Sequence, residues 1–344
     1  MKSGPAFFLH RHLTAQARRP MKGKTMKAAY YDVPGGPEVL SYAEVETPAC
    51  PEDGVLLRVE AISIEGGDLI NRATAAPRAA GDILGYAASG EIVEVGAQVH
   101  DRFIGQKVTS FDMGGSHADL RAVKATRTWV VPDGLDMAAA AALPISFGTA
   151  HHSLFARGKL NEGETLLVQG GAGSVGVAAI QLAHRAGAKV LATVSGADRA
   201  ARLRAYGLHA AIDHRTEDVT EAVMRLTDGR GVDLVVDPVG STLAGSLAAL
   251  RPEGRLVFVG NAGRASLALD LWPALQANQT LLGVFMGSQL EKPEVHRTVD
   301  DMLRLAATGE IEVPIERRFP LREAAAAHAH AEENSILGRV VLVP

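Results

Sequence analysis

Residues 165–187, TLLVQGGAGSVGVAAIQLAHRAG, constrain this chain more than any other stretch: a short apolar strand runs into a glycine-rich turn and then into an amphipathic helix. Gly170, Gly173 and Gly176 stand at the spacing of a phosphate-binding turn in a βαβ unit. Gly173 lets backbone approach a pyrophosphate, Gly176 lets helix and strand pack closely, and the amides around Ser174 and Val175 face the anion at the helix N-terminus. The segment is therefore a candidate dinucleotide site.

The rest of the chain alternates in the same way. TLLVQ, KVLATV, AAIDH, VDLVVDPV, RLVFVG and TLLGVFMG read as six strands separated by Ala-rich helices such as STLAGSLAALR, the pattern of a doubly wound parallel sheet. Between Met26 and about residue 145 the texture differs. VLLRVEAISI, SGEIVEVG, QKVTSF and RTWVV are separated by Gly, Pro and Asp turns, which predicts an antiparallel β domain. After residue 290, TVDDMLRLAATG and EAAAAHAHAEEN read as helices, and GRVVLV as a last strand that returns to the first domain.

At 344 residues and 47% hydrophobic content the chain can bury two cores, and a net charge of -4 gives no broad basic field for nucleic acid or an anionic membrane. No run reaches the roughly 20 apolar residues needed to cross a bilayer. The lone Cys50 excludes an intrachain disulfide and fits a cytoplasmic setting. Residues 1–25 carry Lys and Arg but no Asp or Glu, and read as a disordered extension, a targeting peptide or a start placed upstream of Met26.

The end of the second strand decides between cofactors. An NAD-preferring site places a carboxylate there for the ribose 2'-hydroxyl. This chain has Thr193, Val194, Ser195, Gly196 instead, with Arg199 one turn into the next helix. Ser195 can donate to a 2'-phosphate and Arg199 can supply charge, so NADPH is expected over NADH.

The opening MKAAYY, LGYAASGEIVEVG, PDGLDMAAAAALPISFGTA, VQGGAGSVGVAAIQLA and the closing GRVVLVP together resemble the medium-chain dehydrogenase/reductase superfamily, most closely its zinc-free quinone oxidoreductase branch. The resemblance runs from Met26 to Pro344. It implies an α/β protein in which a GroES-like β-barrel catalytic domain (26–145 and 291–344) accompanies a Rossmann cofactor domain (146–290), with hydride crossing the cleft between them. It also implies Thr149 near the nicotinamide, His214 beside Ser195 and Arg199 at the adenosine phosphate, and Val259, Gly260 and Asn261 along the ribose and nicotinamide side. Val284, Phe285 and Met286 would flank the nicotinamide and form the sheet's edge strand.

Zinc-dependent relatives carry a catalytic Cys, a Gly-His-Glu pattern and a four-Cys lobe. Here those places read ISIEGGDL and Gly85-Tyr86-Ala87, with no thiolate or imidazole, so no metal is expected. His151 with His152, and His328 with His330, read as exposed or packed. The zinc-free pattern also has an Asn and a Tyr that this chain lacks in Glu65-Gly66-Gly67-Asp68-Leu69-Ile70.

What remains is an NADPH-dependent reductase of quinones or α,β-unsaturated carbonyls, in which the cofactor carries the difficult step. Tyr86, Glu65 and Asp68 are the candidate cleft groups. An enoyl-thioester reductase and a non-catalytic nucleotide-binding protein, crystallin-like or RNA-binding, stay open as alternatives. The apolar edge strand TLLGVFM predicts a homodimer.

Overall fold

The computed structural model describes residues 23–333 and 336–344. The expected extension therefore lies outside the described residues except for its last three. The first strand, Thr25–Tyr31, joins Ser41–Glu46 and Asp82–Ile83 in a small antiparallel sheet.

The six expected strands form one parallel sheet. Its order is Ala210–Asp213, Lys189–Val194, Thr165–Val168, Val232–Asp237, Leu250–Phe258 and Thr280–Gly283. Thr165–Val168 is central; the chain first builds outward to one side and then crosses to the other. The order thus reverses between Thr165–Val168 and Val232–Asp237, the place where doubly wound sheets open a crevice for a ligand.

Alternation along each strand splits the core in two. Leu166, Val168, Val190 and Val236 pack on one face with Ile180 and Ala183, while Leu167, Leu191, Val235 and Leu256 pack on the other with Val223 and Leu247. Both faces are covered by helices, which is why these strands read as near-continuous apolar runs.

A second sheet of seven strands is centred on Gly54–Ser63, which pairs with Ala87–Val95, Leu120–Lys124 and Arg339–Val343. It is not wholly antiparallel, as the texture had suggested. Ile315–Pro320 runs parallel to Arg339–Val343, and the helix Ala324–Ala331 makes the crossover that parallel pairing requires. The final strand does return to this sheet, with Val341 opposite Ser63. The buried helix Met137–His151 packs on this sheet and on the phosphate-turn helix Ser174–Arg185.

One boundary is corrected. The edge strand stops at Gly283 and does not include Val284–Met286. Val284 makes a last ladder bond to the Phe258 carbonyl (2.9 Å), after which the chain leaves the sheet so that Met286 is buried against the helix carrying Gly148.

Candidate functional site

The glycine turn is built by close approach. Gly170 has φ +64°, and the Gly173 amide donates back to its carbonyl at 3.0 Å. A Cβ on Gly176 would stand 2.4 Å from that same carbonyl oxygen, so no side chain is tolerated where the helix Ser174–Arg185 meets the turn. No side chain caps this helix and no acidic residue lies in its first turn. Its N-terminal amides and dipole are thus left facing an open, anion-compatible surface.

The end of the chain closes on this turn. Gly338 forms a β-bridge with Gly173, and its amide donates to the Ala172 carbonyl at 3.0 Å. At φ +93°, with a Cβ position 2.3 Å from the Pro314 carbonyl oxygen, Gly338 has no substitute. The next residue, Arg339, donates to the Ser174 hydroxyl, to the Ile64 carbonyl (2.8 Å) and to the Glu65 carboxylate. A cation from the last strand therefore sits at the N-terminus of the phosphate helix.

At the second strand's end, the Ser195 hydroxyl and His214 Nε2 are 2.9 Å apart. Burial and the nearby Arg215 guanidinium lower the pKa of Arg199. Arg215 binds the Asp213 carboxylate, which also accepts from the Gly196 amide at 2.9 Å. Two guanidiniums, a hydroxyl and an imidazole converge here with one carboxylate between them, a composition suited to a phosphate dianion.

Of the remaining cofactor candidates, Val259, Gly260, Asn261 and the stretch 284–286 follow the carboxyl ends of strands, while Thr149 lies in the helix Met137–His151. Val259 donates to the Asp237 carbonyl at 2.9 Å, Gly260 is within 3.5 Å of the Pro238 carbonyl by its Cβ direction, and Asn261 packs against Gly240. Thr149 is buried beside Gly148, whose Cβ position is 3.0 Å from the Met286 methyl. Phe285, by contrast, is 64% exposed and turns outward.

The three candidate cleft groups are buried to different degrees. Glu65 is 2% exposed, and its carboxylate accepts from Ser63 (2.7 Å) and from Arg339, so it is engaged within the protein. Burial raises its pKa, while Arg339 and Ser63 pull it back. Asp68 is completely buried. Its Oδ2 accepts from the Glu65 amide at 2.8 Å, capping the helix Gly66–Thr74, and its Oδ1 has no partner. Burial, reinforced by the Glu65 charge, pushes it up to about 8. Tyr86 is half-buried, edge-on to Phe111, with Gly67 against its ring, and its oxygen accepts from Asn71 Nδ2 at 2.7 Å.

His328, read from sequence as exposed or packed, is packed: its Nε2 is 2.9 Å from His117 Nε2, with Arg72 donating to its Nδ1 at 3.3 Å. His117 comes from 211 positions away, and sequence reading did not single it out. Arg215 and Arg339 were also missed. The one signal for Arg339 is a basic residue opening an otherwise apolar strand.

Fold and crevice define a two-domain nucleotide-dependent oxidoreductase architecture, and the comparisons narrow it. Residues 51–133 match the alcohol dehydrogenase GroES-like domain and residues 174–305 the zinc-binding dehydrogenase domain. The chain is 32% identical over 317 residues to a quinone oxidoreductase of Pseudomonas aeruginosa, covering 90% of this chain and 97% of the relative. It is 31% identical over 331 residues to a 2-haloacrylate reductase of Burkholderia, covering 92% and 98%. The Escherichia coli quinone oxidoreductase, solved in complex with NADPH, superposes with a TM-score of 0.87 at 27% identity, over 92% of this chain and all of that one. The chain belongs to the medium-chain dehydrogenase/reductase superfamily, in its quinone oxidoreductase branch.

The second of these families is a zinc-binding one. Among the described residues no three His, Cys, Asp or Glu side chains converge as a metal site, and Gly85-Tyr86-Ala87 offers neither thiolate nor imidazole.

Proposed function

We propose that this protein transfers hydride from NADPH to a quinone or to an alkene conjugated to a carbonyl, without a metal. The observation that carries the cofactor half is the pairing of the open glycine cradle with the Ser195, Arg199, His214 and Arg215 cluster at the other end of the same crevice. The relatives that reduce quinones and 2-haloacrylate support the acceptor half.

Bound NADPH would supply the two-electron reductant. Gly173, the helix N-terminus and Arg339 would hold its pyrophosphate, with Ser195, Arg199, His214 and Arg215 around its 2'-phosphate. Val259, Gly260 and Asn261 would line the ribose, and Thr149, Val284 and Met286 the nicotinamide. The β domain (26–145 with 291–344) would close the crevice on the 146–290 unit and hold a flat acceptor. Alkene reduction forms one C–H bond from the hydride and one from a proton. Because Asn71 donates to the Tyr86 oxygen, the phenolic proton is free to point at the acceptor, which makes Tyr86 the strongest proton-donor candidate.

Leu271, Trp272, Leu275, Leu281 and Phe285 are exposed beside the edge strand Thr280–Gly283. A second copy pairing along that edge would cover them, giving a homodimer. Among the described residues no helix is long and apolar enough to cross a membrane, in keeping with a cytoplasmic enzyme. Incubating chelator-treated protein with NADPH and a panel of quinones, enones and 2-haloacrylates should consume absorbance at 340 nm. Absence of turnover across the panel rules the reading out.

A further inference from the structure

Beneath the glycine turn lies a buried chain of polar side chains that no step above uses. Asp237 ends its strand with no exposed surface. Its Oδ1 accepts from the amides of Val239 (2.9 Å) and Gly240 (3.0 Å), and its Oδ2 from the hydroxyls of Thr242 and Ser246, both at 2.7 Å. Four donors fill the carboxylate's capacity.

The direction of every further bond follows from that end. A carboxylate only accepts, so Ser246 commits its single proton to Asp237, and its oxygen can only accept from Gln169 Nε2, at 3.0 Å. This fixes the Gln169 amide. Its Oε1 accepts from Thr193 at 3.0 Å, which leaves the Thr193 oxygen to accept from the Gly170 amide at 2.8 Å. Gln169, Thr193 and Ser246 are all at most 3% exposed.

The two ends of this relay are the two loops that flank the sheet's reversal point. Gly170 opens the phosphate turn, while Val239 and Gly240 begin the loop after the neighbouring strand, and the Val239 methyl lies 3.3 Å from the Cβ direction of Gly170. An apolar filling of the same space would supply cohesion at no less stability, whereas a directional relay specifies a unique geometry.

We propose that Gln169, Ser246 and Asp237, acting through Thr193, are positioning residues for the dinucleotide, setting the separation of the two loops between which it lies. The proposal rests on the NADPH reading. Thr193→Val, an isosteric change, and Ser246→Ala should each weaken NADPH about tenfold in equilibrium titration, the scale of one buried hydrogen-bond group left unpaired. Thr193→Ser should restore binding. The fragment adenosine 2'-monophosphate, which lacks the pyrophosphate and so reaches only the Ser195–Arg215 end, should bind all variants within about twofold of the parent, since it touches neither loop. Folded variants that bind NADPH as the parent does, or that weaken both ligands equally, overturn the positioning role. A parent protein that binds adenosine 2'-monophosphate but not NADPH overturns the cofactor reading, and this proposal with it.

Discussion

Arg339, in the last strand, is ion-paired with Glu65, two residues beyond the strand Gly54–Ser63, and the same guanidinium reaches Ser174 at the start of the phosphate helix. One side chain thus ties the β domain to the nucleotide turn. Both partners are nearly excluded from water, with side chains 10% and 2% exposed.

Breaking that pair from one side strands a buried charge. Arg339→Leu should cost about 3 kcal/mol of stability and raise the KM for NADPH, whereas the double variant Arg339→Leu/Glu65→Leu should recover most of the stability but not the KM. Denaturant unfolding and steady-state kinetics on the two variants check this. Equal stability of parent and single variant contradicts it.

In the proposed cofactor site, selectivity for the 2'-phosphate rests on two guanidiniums. Arg199→Ala and Arg215→Ala should each weaken NADPH about tenfold and leave NADH within about twofold, because only the phosphorylated cofactor loses a charge-assisted bond. Side-by-side titration with both nucleotides gives the answer, and a loss shared equally by NADH argues against the assignment.

The His117–His328 pair makes acid destabilising. Burial lowers His117 to about 3 and His328 well below its ordinary value, so the unfolded chain binds protons more readily than the folded one below about pH 6.5. Their contribution is fully present above pH 6.5 and is lost as pH falls toward the folded-state values. The thermal midpoint should therefore drop below pH 6.5, and the drop should be shallower in His117→Gln.

Asp68 works in the opposite direction. Its carboxyl is pushed up to about 8 by burial, so its neutral form is favoured in the folded state, and its contribution, complete below about pH 4, is lost as pH rises through 8. Asp68→Asn keeps an acceptor for the Glu65 amide without the charge. Its thermal midpoint should exceed the parent's by a few degrees at pH 9, on the order of 1–2 kcal/mol, and by less at pH 5.

Local patterns carried much of this architecture in the sequence. The turn at Gly170–Gly176 and the six strands are legible because apolar period and glycine spacing are short-range signals. That Ser195 and Arg199 stand together at the end of one βα unit is legible for the same reason. Arg339 is not, because its partners Glu65 and Ser174 are set by strand pairing across most of the chain. The His117–His328 contact and the Asp237–Ser246–Gln169 relay are hidden for the same physical reason: each residue looks ordinary locally, and its meaning comes from what the sheet brings opposite it. Glu65 illustrates the converse, a conspicuous cleft candidate whose carboxylate is engaged by Ser63 and Arg339.

The most direct test is isotopic. Chelator-treated protein should be given NADPH deuterated at the transferable nicotinamide position together with an enone, and the product read by mass spectrometry. Transfer of one deuterium to the product's carbon skeleton at the β-carbon is expected for direct, metal-free hydride delivery. A reduced product that carries no deuterium, or turnover that returns only when zinc is restored, contradicts it.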